Sequence, residues 1–138
     1  MESTRNPTLD EIHELVSFLP ILYADGYEPV TRWEGGKQKD GTFTLPYPIY
    51  DDAVDRFFKT ASGEQWADYG YIPENASQMI QNDEFVKSAS MSEIKTMLTF
   101  CVRGERFSDG HWEEMIKNGY IRKILERLVE IEKEMKTQ

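Results

Sequence analysis

Arg103-Gly104-Glu105-Arg106-Phe107-Ser108-Asp109-Gly110-His111-Trp112 separates two stretches of helical periodicity, and its reading decides how the second half of the chain is laid out. Upstream, Ser90-Met91-Ser92-Glu93 has the form of a capping box. Ile94, Met97, Leu98, Cys101 and Val102 then make one apolar stripe, so a helix is expected from about Ser90 to Gly104. Downstream, Ser108 or Asp109 is expected to cap a second helix, with Trp112, Met115 and Ile116 inward and Asn118-Gly119 as its stop. Ile121, Ile124, Leu125, Leu128, Ile131 and Met135 define a last amphipathic helix.

Working toward the N-terminus, Thr8-Leu9-Asp10-Glu11 predicts another capping box, followed by a helical face of Ile12, Leu15, Val16 and Leu19 that ends or bends at Pro20. Glu28–Glu34 and Thr42–Leu45 read as two strands around a Gly-rich connection, Gly35–Gly41, with Trp33, Phe43 and Leu45 expected to pack on helices. Pro46-Tyr47-Pro48-Ile49-Tyr50 is held extended by its prolines. Asp51 or Asp52 then caps a helix carrying Val54, Phe57, Phe58 and Ala61. Pro73 fits the first turn of a short helix, while Asn82–Ser88 is polar apart from Phe85 and Val86. The sum is a mainly α fold, one bundle of about five helices with one small β-hairpin. Residues 1–7 are expected to be a flexible N-terminus and residues 8–136 one globular domain.

Composition narrows the function. Sixteen basic against 25 acidic residues give the 138-residue chain a net charge of −9. Polyanions are repelled, so nucleic-acid binding is disfavoured. No basic-then-apolar leader opens the sequence and no apolar run approaches the length of a membrane span. The single Cys101 has no internal disulfide partner, which fits the cytoplasm.

The central stretch also carries the sharpest chemical expectation, an anion site. Arg103 and Arg106 bracket the end of one helix, and Ser108 and Gly110 open the next, whose free amides favour negative charge. His111 adds a donor or a proton shuttle near neutral pH. The competing reading is a tight structural corner, with Asp109 paired to Arg106. Tyr47, Tyr50 and Trp112 are candidates for an aromatic groove. No metal site or cofactor is expected. His13 and His111 lack a metal-binding pattern, and a shared site would need the first helix to meet the one after Ser108. Cys101 lies on an apolar stripe, where thiolate formation is suppressed. Asp51-Asp52 and Glu113-Glu114 diverge by about 100° in a helix and form no dyad. Gly35-Gly36-Lys37 lacks the spacing of a phosphate loop.

Arg103–Trp112, with Gly119-Tyr120-Ile121 and Ile124–Leu128 after it, resembles a family of small, functionally uncharacterised bacterial and archaeal proteins. The likeness returns at Gly41 and over Pro46–Phe58, where an aromatic-proline run leads into a helix. It implies a recurring domain and no reaction, cofactor or partner. The first functional expectation is therefore a non-catalytic interaction or ligand-binding module, taking a small anionic ligand or a protein partner, with a homodimer compatible. The alternatives are an enzyme acting on a phosphorylated or carboxylated small molecule with His111 as acid–base, and a nucleic-acid-associated accessory protein.

Overall fold

A computed structural model describes residues 5–138; the first four residues of the expected flexible N-terminus lie outside the described part. Arg5 to Pro7 are held to the body: Arg5 makes two hydrogen bonds to the Glu11 carboxylate, its carbonyl accepts from Lys95, and Pro7 is buried.

The chain is mainly helical. Helix α1 (Leu9–Val16) starts at the Thr8–Glu11 capping box. Pro20 then sits in the first turn of α2 (Leu19–Leu22), a proline position that needs no amide donor. Strands β1 (Val30–Lys37) and β2 (Phe43–Tyr50) follow, then α3 (Asp52–Ala61), capped by Asp51. A single 3₁₀ turn at Glu64–Trp66 leads to α4 (Pro73–Ile80) and α5 (Asp83–Lys87). The second capping box, Ser90–Glu93, begins α6 (Met91–Arg103). Helices α7 (His111–Lys117) and α8 (Tyr120–Lys136) complete the fold.

The periodic apolar residues are the ones that are buried. Ile12 and Leu15 of α1, Val54 and Phe57 of α3, Ile94, Met97, Leu98 and Cys101 of α6, and Ile121, Ile124, Leu125 and Leu128 of α8 share one core. Trp66 joins them fully buried, although nothing local in its sequence marks it for the interior. The Tyr23 hydroxyl clamps the α7–α8 junction: it donates to Ile116 O at 2.8 Å and accepts from Arg122 N at 3.0 Å.

The hairpin departs from expectation in two ways. The connection is shorter than Gly35–Gly41: Gly35 and Gly36 lie within β1, at an irregularity in the register, and the chain reverses at Gln38–Thr42. At Gly35 φ is +95°, and a Cβ would lie 2.6 Å from Leu45 O, so glycine is required there. Each strand is consequently eight residues long, and the Pro46–Tyr50 run is the second half of β2. Phe43 and Leu45 are not packed on helices: they are 66% and 74% exposed, and Trp33, 50% exposed, meets the body only where its ring lies against Gly110. The strands pair mainly with each other and form an arm that meets the helical body at Trp33 and Tyr50.

Candidate functional site

Helix α6 ends at Arg103 and passes into one 3₁₀ turn, Gly104–Arg106, before α7 begins. The residue that opens α7 is Gly110, with φ +90°, a left-handed conformation natural only to glycine. Neither Ser108 nor Asp109 caps the helix, which corrects the expectation from sequence. The cap comes from Glu105, five residues back. One carboxylate oxygen accepts from Gly110 N at 3.0 Å, and the other accepts from Trp112 N at 2.8 Å and from the Tyr50 hydroxyl at 2.9 Å. Tyr50 in turn lies 3.4 Å from the Glu113 amide, as its acceptor. Burial and the adjacent carboxylate raise the acid dissociation of Tyr50 well above its ordinary range, so it stays a donor. The amides expected to receive an external anion are thus filled by the chain's own carboxylate, and a second anion there would meet like charge.

Tyr50 and Trp112 do come together, with ring centroids 5.3 Å apart. They form the inside of a corner rather than the wall of a groove. Trp112 stacks flat on Phe58 at 4.3 Å, and its indole N–H donates to Val102 O at 3.0 Å. Tyr47, the third member of the expected groove, is elsewhere, on the arm, with its hydroxyl 3.3 Å from Glu34.

His111 is buried, edge-on to Phe100 and hydrogen-bonded to that residue's backbone. Its Nε2 has no hydrogen-bond partner and points at Gly104, where a Cβ would lie 2.2 Å away. Desolvation holds its pKa below the ordinary histidine value, against smaller opposing contributions from the Phe100 backbone, Glu105 and Glu114. His13 is far along the chain on α1, bonded to Glu132 of α8 at 2.9 Å. Cys101 is sealed in the core, and burial pushes its thiol far up from its ordinary value.

The two arginines are together, apart from His111. Both line a cleft of about 150 Å³ whose other walls are Ala61, Ser62, Ala67, Tyr69, Thr99 and Val102. Arg103 is half-buried and lies over the rings of Tyr69 and Tyr71, 5.8 and 5.4 Å from their centroids. Arg106 is exposed at the rim. Among the described residues neither makes an ion pair, and Asp109 does not pair with Arg106. Every other arginine of the described chain has a carboxylate at ion-pair distance. The residue that sequence reasoning missed is Glu105. Its signal was present: a carboxylate a few residues before a helix opened by glycine, where no side chain can cap.

The fold and this corner define a small helical domain carrying a hairpin arm and a self-capped helix junction. The chain belongs to a family of unknown function, DUF6508, whose model matches residues 7–134. No curated protein and no solved structure matches it.

Proposed function

We propose that the chain is a non-catalytic, cytosolic ligand-binding module that takes a small organic anion in the Arg103–Arg106 cleft. One observation carries this reading. In a chain of net charge −9, the two arginines without a carboxylate partner among the described residues line the same opening. Guanidinium groups match carboxylate and phosphate geometry with paired donors. The Tyr69 and Tyr71 rings hold Arg103 in place, so little of its freedom remains to be lost on binding.

The walls narrow the class. Ala61 is buried and Val102 half-buried, and the Thr99 hydroxyl is already bonded to Asp68 N and Lys95 O, so the floor under the cationic rim offers little but hydrocarbon. A cavity of about 150 Å³ is below the roughly 300 Å³ at which drug-sized pockets begin, so the ligand has only a few heavy atoms. A short-chain or small aromatic carboxylate, head at the rim and tail on the floor, suits that shape better than inorganic phosphate. The enzyme reading is weaker on the same grounds. His111 does not line the cleft, and the thiol of Cys101 is inaccessible. A polyanionic partner is disfavoured by the charge of the body.

Thermal shift and calorimetry with acetate, butyrate, benzoate, sulfate and phosphate test the reading. At ten times Kd a bound anion stabilises by about 1.4 kcal/mol, a measurable rise in Tm. Butyrate or benzoate should give the largest rise, and Arg103→Met with Arg106→Met together should remove it. A melting point indifferent to all five anions, or an unchanged rise in the double variant, overturns the proposal.

A further inference from the structure

The 3₁₀ turn Gly104–Arg106 separates the two arginines of the cleft, so whatever holds that turn also spaces the guanidinium groups. Its first residue is pinned on both sides along the backbone. Gly104 N donates to Phe100 O, and Gly104 O accepts from Phe107 N at 3.0 Å and from Ser108 N at 3.1 Å. Beneath it lies His111, 9% exposed. The ring atoms Nε2, Cδ2 and Cε1 are 2.2 to 2.4 Å from the position a Cβ of residue 104 would take. The turn therefore rests directly on the edge of the imidazole, and neither can move without the other.

That seat suits only the neutral ring. Nε2 is buried, faces Gly104 and has no hydrogen-bond partner. A proton on it would make a buried cationic donor with nothing to accept from it, a costly state. Two carboxylates favour the cation through space, Glu105 of the turn and Glu114 of α7. Neither bonds to the ring. The Glu105 oxygens already accept from Gly110 N, Trp112 N and the Tyr50 hydroxyl, and Glu114 is exposed. From α6 the ring meets the edge of Phe100 and that residue's backbone, and the arm brings the uncharged Trp33 ring to the adjoining Gly110. Burial outweighs these helpers, so the ring gives up its proton more readily than an ordinary histidine.

We propose that His111 is a pH gate on the Arg103–Arg106 cleft: neutral and seated beneath Gly104 it holds the turn that spaces the two arginines, and protonated it leaves the seat, the turn loosens and the anion is released. The gate rests on the reading of the cleft as an anion site. Its sign sets it apart from plain electrostatics. A histidine cation acting by charge alone would draw an anion into the cleft more strongly as the pH falls. The gate does the reverse. Anion affinity falls with pH, and by reciprocity a bound anion makes His111 harder to protonate.

Proton NMR of the full chain reads the turn without any ligand. His13 and His111 are the only histidines, so His13→Gln assigns the two ring signals. His111 should titrate below 6.5. Across that titration the Phe107 and Ser108 amides, held by Gly104 O, should lose about tenfold or more of their protection against hydrogen exchange, after correction for the intrinsic pH dependence of exchange. Saturating benzoate should move the His111 midpoint down. In calorimetry the Kd of benzoate, corrected for its own ionisation, should rise about threefold or more from about pH 7.5 to about pH 5 in the parent and in His13→Gln. In His111→Gln it should change by less than about 1.5-fold over the same range.

Amide protection that stays level through the His111 titration overturns the proposal. So does a His111 midpoint that benzoate raises. A chain that binds benzoate with a Kd that falls or stays level as the pH drops overturns the gate alone and leaves the cleft. A chain that binds no anion at any pH overturns the reading of the cleft and the gate together.

Discussion

At Gly104 a hydrogen stands where any other residue would place a carbon, and the His111 ring occupies the space beyond it. The separation of 2.2 Å between a Cβ there and Nε2 is far inside van der Waals contact. Gly104→Ala must push the imidazole out or shift the 3₁₀ turn. A loss of about 1–3 kcal/mol is expected, as for other overpacked sites, read as a lower urea midpoint with an unchanged slope. The same ring gives the protein a pH response. Its folded pKa is depressed below 6.5 by burial, so the unfolded chain binds the proton more readily. The stabilisation from keeping His111 neutral is complete above 6.5 and is lost as the pH falls from there through the folded value. Tm should decline between pH 7 and 5, and His111→Gln should flatten that decline. The Glu11 carboxylate, held at about 2 chiefly by its hydrogen bonds to Arg5, contributes stability that starts to be lost only as the pH falls below its ordinary value of 4.5.

Among the elements, α7 and α8 have starts completed by residues outside them, Glu105 for α7 and the Tyr23 hydroxyl, which accepts from Arg122 N, for α8. Helices α1 and α6 carry their own boxes, Thr8 with Glu11 and Ser90 with Glu93, and both were legible because donor and acceptor are three residues apart. The start of α7 was not. Glu105 reaches it only because the 3₁₀ turn folds the chain back, and Tyr50 completes the arrangement from a strand 55 residues away. Glu105→Ala leaves two amides and a hydroxyl without their acceptor. The expected loss is about 1.5–3 kcal/mol, the range for hydrogen bonds to a charged group, with Trp112 fluorescence reporting the loosened corner. Glu105→Gln, which keeps one accepting oxygen, should lose less. Helix α5 was illegible for a related reason. Its five residues bury only Val86, too few for a periodic signal, and Asn82 caps it by a bond to Phe85 N.

Over the whole molecule the apolar stripes of α1, α3, α6 and α8 met in one core, as their spacing required. Long helices announce their buried face through repetition, and local caps announce their ends. The hairpin was legible as a pair of strands but not as an arm, because alternation sorts side chains onto two faces without saying which face a body covers. The anion site divides along the same line. That Arg103, Arg106 and His111 are near in sequence was plain, yet a helix end, a 3₁₀ turn and a glycine direct two of them to an open cleft and seal the third beneath Gly104. Sequence by itself determined the helical class, the two capping boxes and the buried stripes, since each rests on contacts within a few residues. Only the tertiary structure decided which carboxylate fills the start of α7, which arginines stay unpaired and which face of the arm meets water, since each depends on groups brought together from distant parts of the chain.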